Sequence, residues 1–137
     1  MTDIVDAATR RRMMQGIRSR DTKPELLVRR GLHSRGFRYV LGGRELPGRP
    51  DLVFPSKASV VFVHGCFWHR HQGCRYAYMP STRTDFWLAK FEANIRRDNL
   101  QQQQLTELGW RVIIVWECEL RADREKVIEN LSEVLSE

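Results

Sequence analysis

Three cysteines, a cluster of histidines and two carboxylates in unusual settings hold most of the chemistry this sequence offers. The spacing Cys66-x4-His71-x2-Cys74, followed by a long gap to Cys118, supplies three thiolates and one imidazole. That donor set matches a closed tetrahedral Zn²⁺ site with a structural role. An odd cysteine count also argues against a disulfide framework. The plainer alternative is free thiols beside a surface histidine. It leaves unexplained why Cys66 and Cys74 lie in a polar loop, where a bare thiol gains nothing by packing.

If His71 serves the metal, His64 and His69 remain free to titrate near neutral pH. Asp51 follows Pro50 at a strand start, where a carboxylate could hold Mg²⁺ together with a backbone carbonyl and waters. Asp98 falls on the apolar stripe of a long helical stretch, so it is either paired in the core or aimed at a site, where it could orient a histidine base. These parts converge on metal-assisted phosphodiester hydrolysis. Singly, each has an ordinary explanation: Asp51 as a turn cap, His64 as a satisfied core residue, Glu25 as half of a helix cap.

Phe67 and Trp68 sit between metal ligands, where burial in a core is hard, and Trp87 opens the long helix. Aromatic wedges beside a basic surface can insert between base pairs, at least cost where a mismatch already weakens the stack. The ordinary alternative is a satellite aromatic cluster.

The charge balance points the same way. Lys and Arg number 23 against 17 acidic residues, giving a formal charge of +6, which suits a polyanionic partner and nucleic acid first. Apolar residues at 42% provide one real core rather than a disordered chain. No apolar run approaches the ~18 residues of a membrane span, and no signal-peptide core is present, so a cytoplasmic protein with no membrane partner is expected.

The elements that must position these residues can be read in order. Residues 1–20 form a basic arm in which Arg10, Arg11, Arg12, Arg18 and Arg20 interleave with Met13, Met14 and Ile17. The remainder, 21–137, reads as one domain. Thr22 and Glu25 have capping-box spacing and open a helix running to Gly36. Short strands are expected at Phe37–Leu41, Asp51–Phe54 and Ser59–His64. A turn centred at about residue 57.5 would set Asp51 across from His64. From Thr82 to Leu108 the pattern is helical, with Leu88, Phe91, Ile95, Asp98 and Leu105 on one stripe and Gln101–Gln104 on a solvated face. Trp110–Trp116 reads as a buried central strand, parallel to the strand before the long helix. A last helix over about Asp123–Leu135 completes a mixed α/β domain, its sheet of roughly four or five strands flanked by helices.

The sequence resembles the very-short-patch repair (Vsr) mismatch endonucleases from about Ala7 to Arg121. The resemblance rests on Ala8-Thr9-Arg10, Arg20-Asp21-Thr22, Leu46-Pro47-Gly48-Arg49-Pro50-Asp51, His64-Gly65-Cys66-Phe67-Trp68-His69, Thr82-Arg83-Thr84, Phe86-Trp87-Leu88, Leu108-Gly109-Trp110-Arg111-Val112 and Val115-Trp116-Glu117-Cys118. It implies a restriction-endonuclease-like fold with a structural zinc, and a nick 5′ of the T in a T·G mismatch left by deaminated 5-methylcytosine. Matched onto this chain, Asp51 and the Val63 carbonyl would bind Mg²⁺, and Glu25 would act through the metal's water shell. His69 would activate water, oriented by Asp98 and assisted by His64. Cys66, His71, Cys74 and Cys118 would bind zinc. Phe67, Trp68 and Trp87 would wedge from the major groove, and Met14 would enter from the minor groove. The resemblance also implies functional pairing with a cytosine methyltransferase and help from the repair protein MutL; a monomer is expected because no dimerisation stripe stands out. The loop from Arg70 to Cys74 runs one residue longer than in the best-known members, and Val63 stands where they carry a polar residue. A same-fold nickase of different specificity and a non-catalytic mismatch-binding module are the rival readings.

Overall fold

The structure, a computed structural model, describes residues 22–41, 43 and 45–137. The expected basic arm, with Met14, lies outside these residues.

Thr22 Oγ1 accepts the Glu25 N–H at 3.4 Å, and the Glu25 carboxylate accepts the Thr22 N–H at 3.3 Å. This reciprocal cap starts helix α1 (Lys23–Ser34), with Pro24 in the first turn where no intrahelical donor is needed. The helix ends as Gly36 turns left-handed (φ 88°) and the Phe37 N–H reaches back to the Leu32 carbonyl at 3.1 Å. Phe37 therefore spends its donor on the helix end, and the strand expected over 37–41 shortens to β1 (Val40–Leu41).

Strands β2 (Leu52–Phe54) and β3 (Ser59–His64) follow as an antiparallel pair. They are joined by a 3₁₀ turn, Pro55–Lys57, and by Ala58 in the left-handed region (φ 48°). The connection closes Phe54 onto Ser59 and Leu52 onto Val61, two residues away from the expected register. The Asp51 N–H accordingly bonds the Val61 carbonyl at 3.0 Å, and Asp51 does not pair with His64. A slip of two preserves which side chains share a face, so the chemistry survives the corrected register.

Helix α2 (Thr84–Glu107) then crosses to β4 (Arg111–Trp116), which lies parallel to β3 from Ser59↔Arg111 to His64↔Trp116. The sheet order is β1-β2-β3-β4, so among the described residues β4 is an edge strand rather than the expected central one. Its continuous apolar run has another cause. Ile113 and Val115 pack into one core while Val112 and Ile114 pack into a second, so both faces are covered. Helix α3 (Glu117–Ser136) begins earlier than expected and breaks at Asp123 (φ −159°, ψ 88°). Asp123 Oδ1 caps the second segment by accepting the Lys126 N–H at 3.1 Å, at the position where the sequence placed the helix start.

Three layers result. Helices α1 and α3 cover one sheet face through Val28, Leu32, Ile128, Leu131 and Leu135, packed on Leu52, Phe54, Val61 and Val115. Leu105 of α2 covers the other, against Val53, Val60 and Phe62. Strand alternation carries His64 to this α2 side with Val60 and Phe62. The inward stripe of α2 is not the expected one, because Leu88 and Ile95 are exposed. Trp87, Phe91, Asn94, Asp98, Gln101 and Leu105, at steps of three and four, instead form a buried or half-buried stripe. Most of that stripe is polar or aromatic because it lines a groove rather than a core. Gln101, expected on a solvated face, belongs to it. No helix among the described residues is long and apolar enough to cross a membrane.

Candidate active site

The groove between α2, the end of β3 and the N-terminus of α1 has a volume of about 950 Å³. Asp51, Val63, His64, Phe67, Trp68, His69, Asp98 and Glu25 all line it. The capping box places Glu25 at its edge, β3 delivers Val63 and His64, and the inward stripe of α2 delivers Asp98.

Asp51 Oδ2 accepts the Val63 N–H at 2.7 Å. Burial pushes the Asp51 carboxyl up to about 6; the Val63 hydrogen bond opposes this, and the neighbouring Glu25 charge adds to it. Glu25 is buried and paired to Arg29 at 2.9 Å. Asp51, whose ionisation burial penalises, beside the Glu25 carboxylate forms a fitting seat for a divalent cation, which would relieve the Asp51 penalty with hard oxygen donors.

On the opposite wall His69 Nδ1 lies 2.7 Å from Asp98 Oδ2, leaving Nε2 as the nitrogen free of this contact. The His64 ring stacks on His69 with centroids 3.7 Å apart and planes within 5°. Burial, followed by repulsion from His69, lowers the His64 pKa to about 3, so His64 is neutral at physiological pH. His64, His69 and Asp98 have donor atoms close enough to share an ion. However, the Asp98 oxygen already engages His69 at hydrogen-bond distance, and two imidazoles are poor donors for a hard cation. The oxygen-rich Asp51 side suits Mg²⁺ better.

The ligand atoms of Cys66, His71, Cys74 and Cys118 lie within 4.8 Å of one another. Cys118 Sγ is 3.3 Å from His71 Nδ1, and the Cys118 N–H donates to Cys66 Sγ at 3.4 Å. Burial pushes the Cys66 thiol up to about 12, a penalty on the thiolate that a bound cation would offset. The His71 ring stacks on Trp116 at 4.1 Å, which fixes its plane. The cluster therefore fits a soft-donor metal, and its chain connections run from the end of β3 to the start of α3.

The aromatic residues meet as well, in a cluster more compact than the sequence suggested. Phe67 lies 5.1 Å from Trp68, 5.8 Å from Trp87, 5.3 Å from Phe91 and 5.1 Å from Tyr78. The cluster residues Cys66 and His71 on either side do not keep Phe67 from packing, because Phe91 and Trp87 of α2 come to it.

Several groove residues escaped sequence reasoning. Asn94 donates to the Trp68 carbonyl at 3.2 Å and accepts from Arg97 at 3.2 Å. Lys90 and Gln101 line the same wall, and Arg49 (φ 49°) lies two residues from Asp51. The signal that could have found Asn94 and Gln101 was their spacing of four and three residues from Asp98, hidden by the apolar pull of Ile95.

Comparison with known proteins gives this geometry a context. The family model described as DNA mismatch endonuclease Vsr matches residues 2–75. The type II nicking enzyme V.XorIIP of Xanthomonas oryzae pv. oryzae is 52% identical over 120 residues, covering 88% of each chain. The DNA mismatch endonuclease Vsr of Escherichia coli is 44% identical over 137 residues, covering all of this chain and 87% of that protein. The type II nicking enzyme V.NmeAIP of Neisseria meningitidis is 45% identical over 121 residues, covering 88% of this chain and 86% of its own.

Proposed function

This chain belongs to the Vsr family of DNA mismatch endonucleases, and from that membership we propose that it nicks duplex DNA on the 5′ side of a T mispaired with G, by Mg²⁺-dependent hydrolysis. The observation that carries the mechanism is the His69–Asp98 contact of 2.7 Å across one groove from Asp51 and Glu25.

Asp51 and the Val63 carbonyl would hold Mg²⁺ directly, with Glu25 reaching it through water. The ion, when bound, neutralises charge that develops on the phosphate oxygens. Asp98 holds His69 Nδ1–H, so that Nε2 presents its lone pair to water. His69 then takes the proton as water attacks phosphorus in line with the leaving 3′ oxygen. His64, neutral against the His69 face, assists as a hydrogen-bonding group rather than as a cation.

Cys66, His71, Cys74 and Cys118 would hold Zn²⁺ in a structural role, as suits a donor set made wholly of protein thiolates and an imidazole. Phe67, Trp68 and Trp87 act as the wedge that opens the stack at the mismatch, and Met14 of the arm enters from the other groove. The order helix, three antiparallel strands, crossover helix, parallel strand supports a restriction-endonuclease-like fold. By the same family relation the protein works as a monomer in the cytoplasm beside a cytosine methyltransferase and with help from MutL.

End-labelled duplexes, T·G-mismatched or fully paired and in varied flanking sequence, test this with Mg²⁺ or with EDTA. The expected result is a Mg²⁺-dependent single-strand nick 5′ to the mismatched T. Equal cutting of paired duplex would identify a nickase of different specificity. Tight mismatch binding without any cut would identify a binding module.

A further inference from the structure

We propose that Arg70 is a positioning residue for mismatch recognition, holding Phe67 and the Ala77–Tyr78 segment in the arrangement the aromatic wedge requires. The proposal rests on the wedge reading given above. An arginine in an exposed loop of a basic DNA-binding protein would ordinarily be assigned to a phosphate. Arg70 is turned the other way. Its Nη1 donates to the carbonyls of Phe67 and Tyr78, each at 3.1 Å, and its Nη2 donates to the Ala77 carbonyl at 2.8 Å.

The guanidinium carbon also lies 3.8 Å from the centroid of the Phe91 ring and 5.5 Å from that of Phe67. One planar group thus clips the start of the Cys66–Cys74 loop to the segment that follows it while stacking on the floor of the aromatic cluster. The left-handed backbone at Arg70 (φ 53°) and at Gly73 (φ 72°) belongs to the same tight excursion. The rigid fork is essential to this arrangement, because a lysine ammonium can keep the charge over Phe91 but cannot serve three carbonyls in one plane.

The test uses full-length Arg70→Lys and Arg70→Gln proteins and T·G or paired duplexes carrying 2-aminopurine beside the mismatch position. Both variants should bind the T·G duplex about tenfold more weakly, as expected when a preorganised surface loses its order. Paired-duplex affinity and bound-metal content should stay at wild-type values. The 2-aminopurine signal of unstacking should fall in the variants. The salt dependence of binding should not change, whereas loss of a phosphate contact would reduce its slope by about 0.9.

Wild-type T·G affinity in both variants overturns the proposal. So does a reduced salt slope, which would make Arg70 a phosphate contact. Loss of metal or of helical circular dichroism in both variants would make it a general structural residue and also overturns the proposal. A wild-type protein that produces no unstacking signal refutes the wedge itself, and Arg70's positioning role with it.

Discussion

Burial holds the Asp51 carboxyl near 6, so the metal-free folded protein keeps this proton more tightly than the unfolded chain, whose value is 3.8. The stabilisation is complete below about pH 4 and is lost as pH rises through about 6, at a cost of about 3 kcal/mol once Asp51 is ionised. His64 has the opposite sign: its pKa of about 3 makes the folded state lose stability as pH falls from 6.5. The two effects overlap, so comparing wild type with Asp51→Asn isolates the Asp51 part. In EDTA the variant should melt higher than wild type at about pH 7.5 and lose that advantage at about pH 4. It should bind the mismatch and fail to nick. Parallel melting curves across this range would contradict the burial argument, and intact nicking would remove Asp51 from the metal site. Asp98→Asn should keep T·G affinity and cut single-turnover nicking about a hundredfold, by loosening the orientation of the His69 base. An unchanged rate would leave the 2.7 Å contact with a structural role only.

Among the elements, α1 and α3 approach closely at Gly31. A Cβ on Gly31 would fall 2.7 Å from two side-chain carbons of Ile128, so the helices meet only because Gly31 has none. Gly31→Ala should cost about 1–3 kcal/mol by overpacking, despite its gain in helix propensity. Adding Ile128→Val should recover part of the loss in urea melts; strict additivity would show that the contact is not the cause. Much of this layer was legible in the sequence. The Thr22–Glu25 cap, the parallel crossover and the Asp123 helix start are local signals of spacing and residue type. The misread elements fail for a common reason: an apolar side chain reports that something covers it, not what. Trp110–Trp116 looked central because both its faces are covered, yet its outer edge carries no strand among the described residues. Ile95 drew the α2 stripe off by one position, concealing Asn94 and Gln101 on the groove wall. The residues that cluster in the groove were easier to pick out than the frame, since Cys, His and Asp in polar settings have few other reasons to stand where they do. Arg70 was missed because its inward fork depends on carbonyls that only the folded loop brings together.

At the scale of the whole molecule, this DNA endonuclease has a sheet whose β1 strand is two residues long and a groove wall built largely from a loop. A metal held by the Cys66–His71–Cys74–Cys118 cluster would compensate by joining the end of β3 to the start of α3 across the crossover. Chelation, or Cys118→Ser, should therefore lower the melting temperature and abolish nicking together, because metal affinity is here part of folding free energy. Atomic absorption alongside calorimetry checks this; a stable, metal-free and active protein would show that the cluster is dispensable. The placement of Cys118 has a further effect during synthesis. Every side chain assigned to cutting, from Glu25 through Asp98, leaves the ribosome before β4 and the fourth metal ligand. The reactive groups therefore exist for a time without the frame that aligns them, and a chain abandoned partway carries the blade but not the handle. For a DNA endonuclease, alignment of the cutting groups thus waits on the part of the chain made last.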